Sequence, residues 1–363
     1  MDIDAKIREL EEELARTQKN KATEKHIGLL MAKIAKLRRE KIKQASKSKK
    51  GHGFNVSRTG DGRAALLGFP SVGKSSLISK LTGKESKTAG YAFTTLDVIP
   101  GMLHYKGAKI QVLDLPGIIT EASKGKGRGK EVLSVVRTSD VVVIVLDAEK
   151  AEKEYQALMK EVENAGIRLN KSPPDVSISK KSKGGINIYR RKRGKGPSDD
   201  FILSALREHG ILNADVVVGE NVTEKDFIDA LDPSLVYLKG MVVINKIDLI
   251  SQERLKELQK LFPDAVFVSI YYPETLERLK EKLYDAFEFI RVYTKPWRGE
   301  VEKEPLILRK GATVKEACEK IHRDLLKNFR YALVWGPSAK HPGQRVGLEH
   351  KLEDGDIITI IAR

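Results

Sequence analysis

The stretch Gly68-Phe69-Pro70-Ser71-Val72-Gly73-Lys74-Ser75 matches the phosphate-binding loop pattern G-x-x-x-x-G-K-S/T. An apolar run at residues 64–67 precedes it and an amphipathic run at residues 77–81 follows it, which predicts a strand, a loop and a helix. Glycines let such a loop turn tightly, so that successive backbone N–H groups face a phosphate at the positive end of the helix. A chance turn is disfavoured because further nucleotide-binding motifs follow in order.

The residues of this loop are therefore candidate nucleotide ligands. Lys74 is expected to reach the β- and γ-phosphates, and Ser75 to bind Mg²⁺ through its hydroxyl. The residues predicted to surround the phosphates are Gly68, Phe69, Pro70, Ser71, Val72, Gly73, Lys74, Ser75 and Ser76.

The composition limits the class of protein. The chain has 363 residues, enough for two or three domains, and a formal net charge of +16, which favours a polyanionic partner, although a solvated basic surface gives the same charge. The single cysteine, Cys318, excludes an internal disulfide framework. No apolar run approaches the roughly twenty residues of a membrane span, and the charged start, Met1 to Asp4, is unlike a signal peptide. We expect a soluble, cytoplasmic protein.

A second motif lies at residues 90–97, Gly-Tyr-Ala-Phe-Thr-Thr-Leu-Asp. A threonine in a mobile segment after the phosphate loop completes the Mg²⁺ shell with its hydroxyl and contacts the γ-phosphate with its backbone N–H. Thr95 is the preferred candidate, and Thr94 is the alternative.

A third motif, Asp114-Leu115-Pro116-Gly117, follows the strand predicted at residues 109–113. The Asp114 carboxylate is expected to hold Mg²⁺ through water, and the unhindered Gly117 amide to bond the γ-phosphate. Lys74, Thr95 and Gly117 thus form the predicted catalytic set. The basic loop after this motif, Gly125 to Lys130, is either a solvated loop or a contact for RNA phosphates, and both alternatives stay open.

Base recognition is predicted at Asn245-Lys246-Ile247-Asp248, which follows the apolar run 241–244. Asp248 is expected to accept two hydrogen bonds from guanine; adenine has no such donor pair, so an ATP-dependent factor is disfavoured. Asn245 would tie this loop to the phosphate loop, and Lys246 would lie along the base. After a last strand, the backbone N–H groups of Ser269 and Ile270 are candidates for holding guanine O6.

These motifs resemble those of the developmentally regulated GTP-binding protein family, within the Obg-related translation-associated GTPases. The resemblance covers essentially the whole chain. It implies an α/β, Ras-like P-loop GTPase domain with a helical N-terminal arm, an inserted small α+β subdomain and a C-terminal β-grasp module called TGS. It also implies GTP hydrolysis coupled to ribosome function, and a separate regulatory protein partner.

Two positions depart from related proteins. Ile118 stands where many Ras-related GTPases carry a glutamine that orients the attacking water, so slow intrinsic hydrolysis is expected. Ser71 stands where potassium-stimulated relatives commonly carry an asparagine. The missing glutamine favours a bound cation and Ser71 disfavours it, so a role for K⁺ is left open.

The N-terminal arm is assigned to residues 1–60. Apolar residues recur at helical spacing in residues 3–14 and 27–37, which predicts two helices that pack as a hairpin or dock on a partner; the hairpin is favoured. From Arg38 to Lys50 the sequence is strongly basic, either as a solvated face or as a contact for a phosphate backbone, and we favour the second.

An insertion at residues 167–238 separates two parts of the GTPase domain, residues 61–166 and 239–293. Within it, alternating residues at 175–195 predict a basic β-hairpin that carries Tyr189. This hairpin is either an edge protected by charge or a contact for ribosomal RNA, which the concentrated charge favours.

The C-terminal module is assigned to residues 294–363. A helix over 274–293 is expected to close the GTPase domain and a linker over 294–299 to follow it. A strand from Leu306, a helix over Thr313–Asn328 with a capping box, and two further strands predict a β-grasp fold. Cys318 is expected in its core.

The favoured hypothesis is a GTPase switch that binds the ribosome or its RNA with GTP and leaves after hydrolysis. The alternative is an RNA-binding scaffold in which guanine nucleotide is a structural ligand. No membrane partner is expected.

Overall fold

The computed structural model describes residues 3–20, 22–47, 58–83, 99–115, 135–191 and 196–362, with the backbone alone at 42–47 and 99. It divides into two compact units, residues 1–53 with 159–238 and residues 54–158 with 239–363. Among the described helices, none combines the length and the apolar character that a membrane span requires.

The elements follow one another along the chain in three groups. The first comprises α1 (Ile3–Arg16), α2 (Glu24–Lys47), β1 (Gly62–Leu67), α3 (Lys74–Thr82), β2 (Ile99–Tyr105), β3 (Ala108–Asp114), β4 (Val141–Asp147) and α4 (Ala151–Asn164). The second comprises β5 (Ile167–Leu169), β6 (Val176–Lys180), β7 (Ile186–Arg190), α5 (Asp199–Glu208), β8 (Ala214–Val218) and α6 (Glu224–Ala230). The third comprises β9 (Val236–Asn245), a 3-10 turn (Ile247–Leu249), α7 (Gln252–Leu261), β10 (Val266–Phe267), α8 (Pro273–Ala286), β11 (Phe289–Thr294), β12 (Leu306–Arg309), α9 (Val314–Ile321), α10 (Arg323–Lys327), β13 (Phe329–Trp335), β14 (Gln344–Val346) and β15 (Ile357–Ala362).

The two N-terminal helices form an antiparallel hairpin, as the apolar spacing predicts. A hydrogen bond joins Glu13 to His26 at 3.0 Å, and an ion pair joins Glu11 to Arg38 at 2.5 Å. Lys41 pairs with Asp4 in the same way. The hairpin interpretation is confirmed.

The basic stretch that begins at Arg38 is partly neutralised within its own unit. Arg38 and Lys41 pair with α1, and Arg39 lies 3.7 Å from the Asp232 carboxylate. Nearby carboxylates therefore compete with a phosphate for these three side chains, and the phosphate contact favoured from the sequence stays a prediction. Residues 48–50 lie outside the described residues.

The insertion contains a three-stranded sheet in the order β6-β8-β7. The predicted hairpin of β6 with β7 is wrong, because β8 lies between them, antiparallel to β6 and parallel to β7. The loop that joins the outer strands passes over the start of β8, where Asn213 accepts hydrogen bonds from the Lys181 amide at 3.0 Å and the Gly185 amide at 2.8 Å. The alternation of apolar and polar residues predicted strands β6 and β7, but it did not predict that both pair with β8.

The arm and the insertion share one hydrophobic core. Helix α2 packs directly on α5, and a Cβ added at Gly28 would lie 2.6 Å from Ser204 Oγ, so a side chain there would separate the helices. Ile27 and Ala32 join Phe201 and Phe227 in the core that covers the inner face of the sheet. The arm is thus part of this unit's fold.

The second unit is built on a sheet in the order β10-β9-β4-β1-β3-β2. Its strands are parallel except for the antiparallel edge strand β2. Strand β1 is buried at every position, and so is β4 up to Leu146. Such continuous apolar runs form central parallel strands covered on both faces.

The C-terminal module is a five-stranded sheet in the order β12-β11-β15-β13-β14, with α9 beside it. Thr313 and Glu316 form the predicted capping box, and Cys318 is fully buried in the core. Two helix predictions are wrong at their ends. The helix expected to reach Tyr293 ends at Ala286, because residues 289–294 form β11 and pair with β12 and β15. The helix expected over 313–328 breaks at His322, whose backbone is extended.

Candidate nucleotide site

The phosphate loop connects β1 to α3 with the predicted geometry. A Cβ added at Gly68 would lie 2.4 Å from the Val145 carbonyl oxygen, so the loop can leave the sheet here only without a side chain. Gly73 has φ +90, and a Cβ there would lie 2.5 Å from Asn245 Nδ2. Both glycines of the motif are thus required by the packing of this loop on β4 and β9.

Lys74 is the first residue of α3, and its side chain turns back into the loop. The ammonium donates hydrogen bonds to the carbonyl oxygens of Gly68, at 3.0 Å, and Phe69, at 2.9 Å. Burial lowers the pKa of Lys74, and the carboxylates of Asp114 and Glu154 partly offset this effect. The cation is therefore held where a phosphate bound by the loop amides would meet it.

Ser75 and Asp114 meet at the predicted metal position. The Ser75 hydroxyl donates to Asp114 Oδ2, and Asp114 ends β3 in register with Leu66 of β1. A hydroxyl and a carboxylate are hard oxygen donors, which suit Mg²⁺. Within the described part of the chain, no group of three or more His, Cys, Asp or Glu side chains offers another metal site.

Several predicted groups lie outside the described residues. They are the γ-phosphate ligands Thr95 and Gly117, the alternative Thr94, Ile118, and the basic loop Gly125 to Lys130.

Asn245 joins the loop predicted to recognise the base, residues 245–248 and called the base loop below, to the phosphate loop. Its Nδ2 donates to the Val72 carbonyl oxygen at 2.8 Å, and the side chain is 2% exposed. This is the tie expected from the sequence. Asp248 follows in the 3-10 turn, partly exposed, and the Ile247 amide bonds the Val268 carbonyl at 3.3 Å. The base loop is thereby fixed to both the phosphate loop and the residue that follows β10.

Ser269 differs from its expected role. Its backbone N–H donates to Thr275 Oγ1 at 3.2 Å, and its hydroxyl accepts from the Tyr271 amide at 3.1 Å. The side chain is fully buried. Its amide is thus engaged within the fold, which leaves the Ile270 amide as the candidate for guanine O6.

Two carboxylates near the base loop were not found from the sequence. Asp147 Oδ2 accepts from Lys246 Nζ at 2.7 Å, and Glu154 Oε2 accepts from the Asp147 amide at 2.9 Å. Burial raises the pKa of Glu154. The available sequence signal was the position of Asp147 directly after the apolar run at residues 141–146, which predicts a buried strand.

Comparison with known proteins gives three consecutive family matches. Residues 63–180 match the family described as 50S ribosome-binding GTPase, residues 183–289 the C-terminal region of that domain, and residues 290–362 the TGS domain.

Relatives align along the whole chain. An uncharacterised GTP-binding protein of Methanocaldococcus jannaschii is 50% identical over all of this chain and 94% of its own length. Developmentally-regulated G-protein 3 of Arabidopsis thaliana is 47% identical, over 99% of this chain and 98% of its own. Developmentally-regulated GTP-binding protein 1 of Xenopus laevis is 46% identical, over 99% of both. The solved YchF GTPase of Schizosaccharomyces pombe aligns with 84% of this chain and 99% of its own, with 16% identity and a TM-score of 0.45. The chain therefore belongs to the developmentally-regulated GTP-binding protein family, whose members are P-loop GTPases with a C-terminal TGS domain.

Proposed function

We propose that this protein hydrolyses GTP as a molecular switch in translation, and that its GTP form binds the ribosome through RNA in the cytoplasm. The observation that carries the nucleotide part is the hydrogen bond from Asn245 to Val72, because it joins the base loop and the phosphate loop into one site. The matched family model, described as ribosome-binding, supports the translation part.

Each residue of the site has a role in this proposal. Lys74 would neutralise charge on the β- and γ-phosphates, and Ser75 and Asp114 would hold Mg²⁺, the carboxylate through water. The bound Mg²⁺ supplies charge neutralisation at the phosphates. Thr95 and Gly117 bond the γ-phosphate, and Asp248 accepts two hydrogen bonds from guanine. Ile118 has no group that orients water, so intrinsic hydrolysis is slow and a regulatory protein accelerates it.

RNA binding is assigned to the insertion. Ion pairs within this unit leave fewer of its basic side chains available for RNA. Lys181, Arg190 and Arg191 each pair with an aspartate of the same unit. Among the described residues, Lys180 and Lys183 have no acidic partner, and Tyr189 on the edge strand β7 is 54% exposed. Free cations and an exposed aromatic ring within one small subdomain suit nucleic acid, whose bases stack and whose phosphates attract charge.

Co-sedimentation with ribosomes and ribosomal subunits tests the proposal. Purified protein is compared with GDP and with a non-hydrolysable GTP analogue, at low and moderate salt. Binding that prefers the analogue and survives moderate salt is expected. Binding indifferent to nucleotide would refute the switch, and binding lost with modest salt would show generic attraction between charges.

The scaffold alternative is distinguished by Lys74→Ala. A switch predicts that the variant loses nucleotide-dependent ribosome binding while its folded state persists. A scaffold predicts that the variant loses stability alone. Single-turnover hydrolysis in KCl and in NaCl settles the cation question, because stimulation by KCl assigns a K⁺ site and equal rates exclude one.

A further inference from the structure

Asp147, a residue outside the nucleotide-binding motifs, accepts a hydrogen bond from Lys246 of the base loop. We propose that Asp147 is a positioning residue for guanine-nucleotide binding and that it acts through Lys246. The inference rests on the assignment of residues 245–248 as the base loop.

Lys246 is held at both its backbone and its side chain. Its backbone is left-handed, with φ +64, which side-chain-bearing residues rarely adopt. Its Nζ lies 2.7 Å from Asp147 Oδ2, and the two side chains are 31% and 14% exposed. A lysine otherwise samples many rotamers, so this ion pair selects the one in which the four-carbon stem runs from the base loop to the end of β4.

Two further hydrogen bonds fix Asp147 itself, and a third fixes the residue that follows it. Its Oδ1 accepts from the Glu149 amide at 3.0 Å, and its own amide donates to Glu154 Oε2. The next residue, Ala148, donates its amide to the Asn245 carbonyl at 3.0 Å. Both carboxylate oxygens of Asp147 therefore have defined partners, and one bond of this network reaches the base loop directly.

The charges in this cluster favour an ionised Asp147. Burial alone raises the pKa of its carboxyl, but hydrogen bonds from Lys246 and the Glu149 amide, together with Lys150, bring the pKa below its ordinary value. A second carboxyl in this cluster is that of Glu154, which is 9% exposed and accepts a hydrogen bond from the Asp147 amide. At neutral pH the ion pair to Lys246 is therefore fully formed.

The proposed role predicts how the loss of Asp147 changes the affinity for nucleotides with different bases. Guanine, hypoxanthine and xanthine have the same ring faces but different edges. A lysine stem along the face contributes equally to all three bases, whereas Asp248 reads the edge. Loss of Asp147 is therefore expected to weaken GDP and IDP binding by the same factor.

The test measures dissociation of fluorescently labelled GDP and IDP from the full chain by stopped flow. Asp147→Asn and Lys246→Gln are each expected to speed dissociation of both nucleotides about tenfold. If Asp147 acts through Lys246, the double variant dissociates no faster than either single variant. Glu152→Gln is the matched control. Glu152 lies on α4, as Glu154 does, and pairs with Arg254 at 2.7 Å, so its loss should leave dissociation unchanged.

Three results would overturn the proposal. They are an unchanged rate in Asp147→Asn, multiplicative effects in the double variant, and an equal effect in Glu152→Gln, which would indicate a general loss of packing around α4. Melting temperatures confirm that each variant is folded.

Asp248→Asn separates this inference from the site assignment. An asparagine amide can donate to the C2 oxygen of xanthine, so the variant should shift preference from GDP to XDP. Without that shift the base-loop assignment fails, and the role of Asp147 fails with it. With that shift and normal dissociation in Asp147→Asn, only the positioning role fails.

Discussion

Asp140 Oδ1 lies 2.6 Å from a terminal guanidinium nitrogen of Arg309, and this ion pair joins the nucleotide-binding sheet to the TGS module. Asp140 directly precedes β4, and a second pair joins Asp61, directly before β1, to Lys320 of the module. The phosphate loop follows the opposite, carboxyl end of β1, which is parallel to β4. Within this unit the TGS module therefore contacts the end of the sheet remote from the phosphate loop.

Asp140 is expected to matter more for stability than its partner Arg309. It also accepts two hydrogen bonds from Arg58, at 2.7 and 2.8 Å, and one from the Arg63 amide at 2.8 Å. Asp140→Ala should lower the free energy of unfolding by about 1–2 kcal/mol, because it leaves the part-buried Arg63 amide without its acceptor and removes the ion pairs to two half-exposed arginines. Arg309→Ala, at a half-exposed side chain, should cost about 0.5–1 kcal/mol. Urea denaturation measures both, and equal losses would contradict this ranking.

Gly73→Ala should abolish nucleotide binding. The added Cβ would lie 2.5 Å from Asn245 Nδ2, so it displaces the side chain that joins the two loops. Gly311→Ala is the matched control, because its φ of +85 carries similar backbone strain and a Cβ there meets no described atom within 4 Å. Both variants should lose about 1 kcal/mol of stability. Only Gly73→Ala should lose GDP affinity, by more than a hundredfold in a fluorescence titration. Retained affinity in Gly73→Ala would show that the loop relaxes around the methyl group.

The sequence predicted the parts of the site that depend on local pattern. The phosphate loop, Asp114 and Asn245 follow from residue type at fixed spacing after a strand, and the structure brings them together. Asp147 was missed because its role depends on which strand neighbours β4, a fact that no local pattern contains. The same limit applies to β8, which separates two strands that are close in sequence.

At the end of α8 the helical spacing of apolar residues predicts a longer helix than the structure contains. Leu276, Leu279, Leu283, Phe287 and Ile290 keep helical spacing, so the sequence reads as one helix to residue 293. In the structure Glu288, with φ +53, interrupts the helix. The following residues pair with β12 and with β15, which lies more than sixty residues further along the chain. Distant strand pairing thus outweighs local helical preference.

Asp229→Ala should strongly destabilise the unit formed by the arm and the insertion. Arg168 and Asp229 form a two-point ion pair at 2.7 Å for each bond, with side chains 8% and 9% exposed. Burial alone lowers the pKa of Arg168, but the hydrogen bonds that it donates to Asp229 raise the pKa overall. Removing the carboxylate leaves a buried cation, which costs about 3–5 kcal/mol.

The double variant Arg168→Met with Asp229→Leu separates charge from packing. It should recover most of the loss in urea denaturation, because no unpaired charge remains. If the double variant is as unstable as Asp229→Ala, the ion pair has a structural role that apolar side chains of similar size cannot replace.

Asp354→Asn should remove part of the acid sensitivity of the TGS module. Arg291 bonds both oxygens of Asp354, through Nε at 3.1 Å and through its terminal nitrogen at 2.7 Å, and the Arg291 amide adds a bond of 2.7 Å. The hydrogen bond with the Arg291 side chain is the main reason that the pKa of Asp354 lies below its ordinary value.

The sign of the pH effect follows from this lowered pKa. A carboxyl with a lower pKa in the folded than in the unfolded state stabilises the fold above the unfolded value, about 4, and loses this effect as pH falls through the folded value. At pH 7 the wild-type chain should be more stable than Asp354→Asn by about 1 kcal/mol, a modest figure because both side chains are partly exposed. The difference should shrink below pH 4 in urea denaturation of the full chain. Arg291→Gln should reproduce the same pH profile, since it removes the other member of the pair. A difference that stays constant from pH 7 to pH 3 would show that Asp354 acts through its hydrogen-bond geometry and not through its charge.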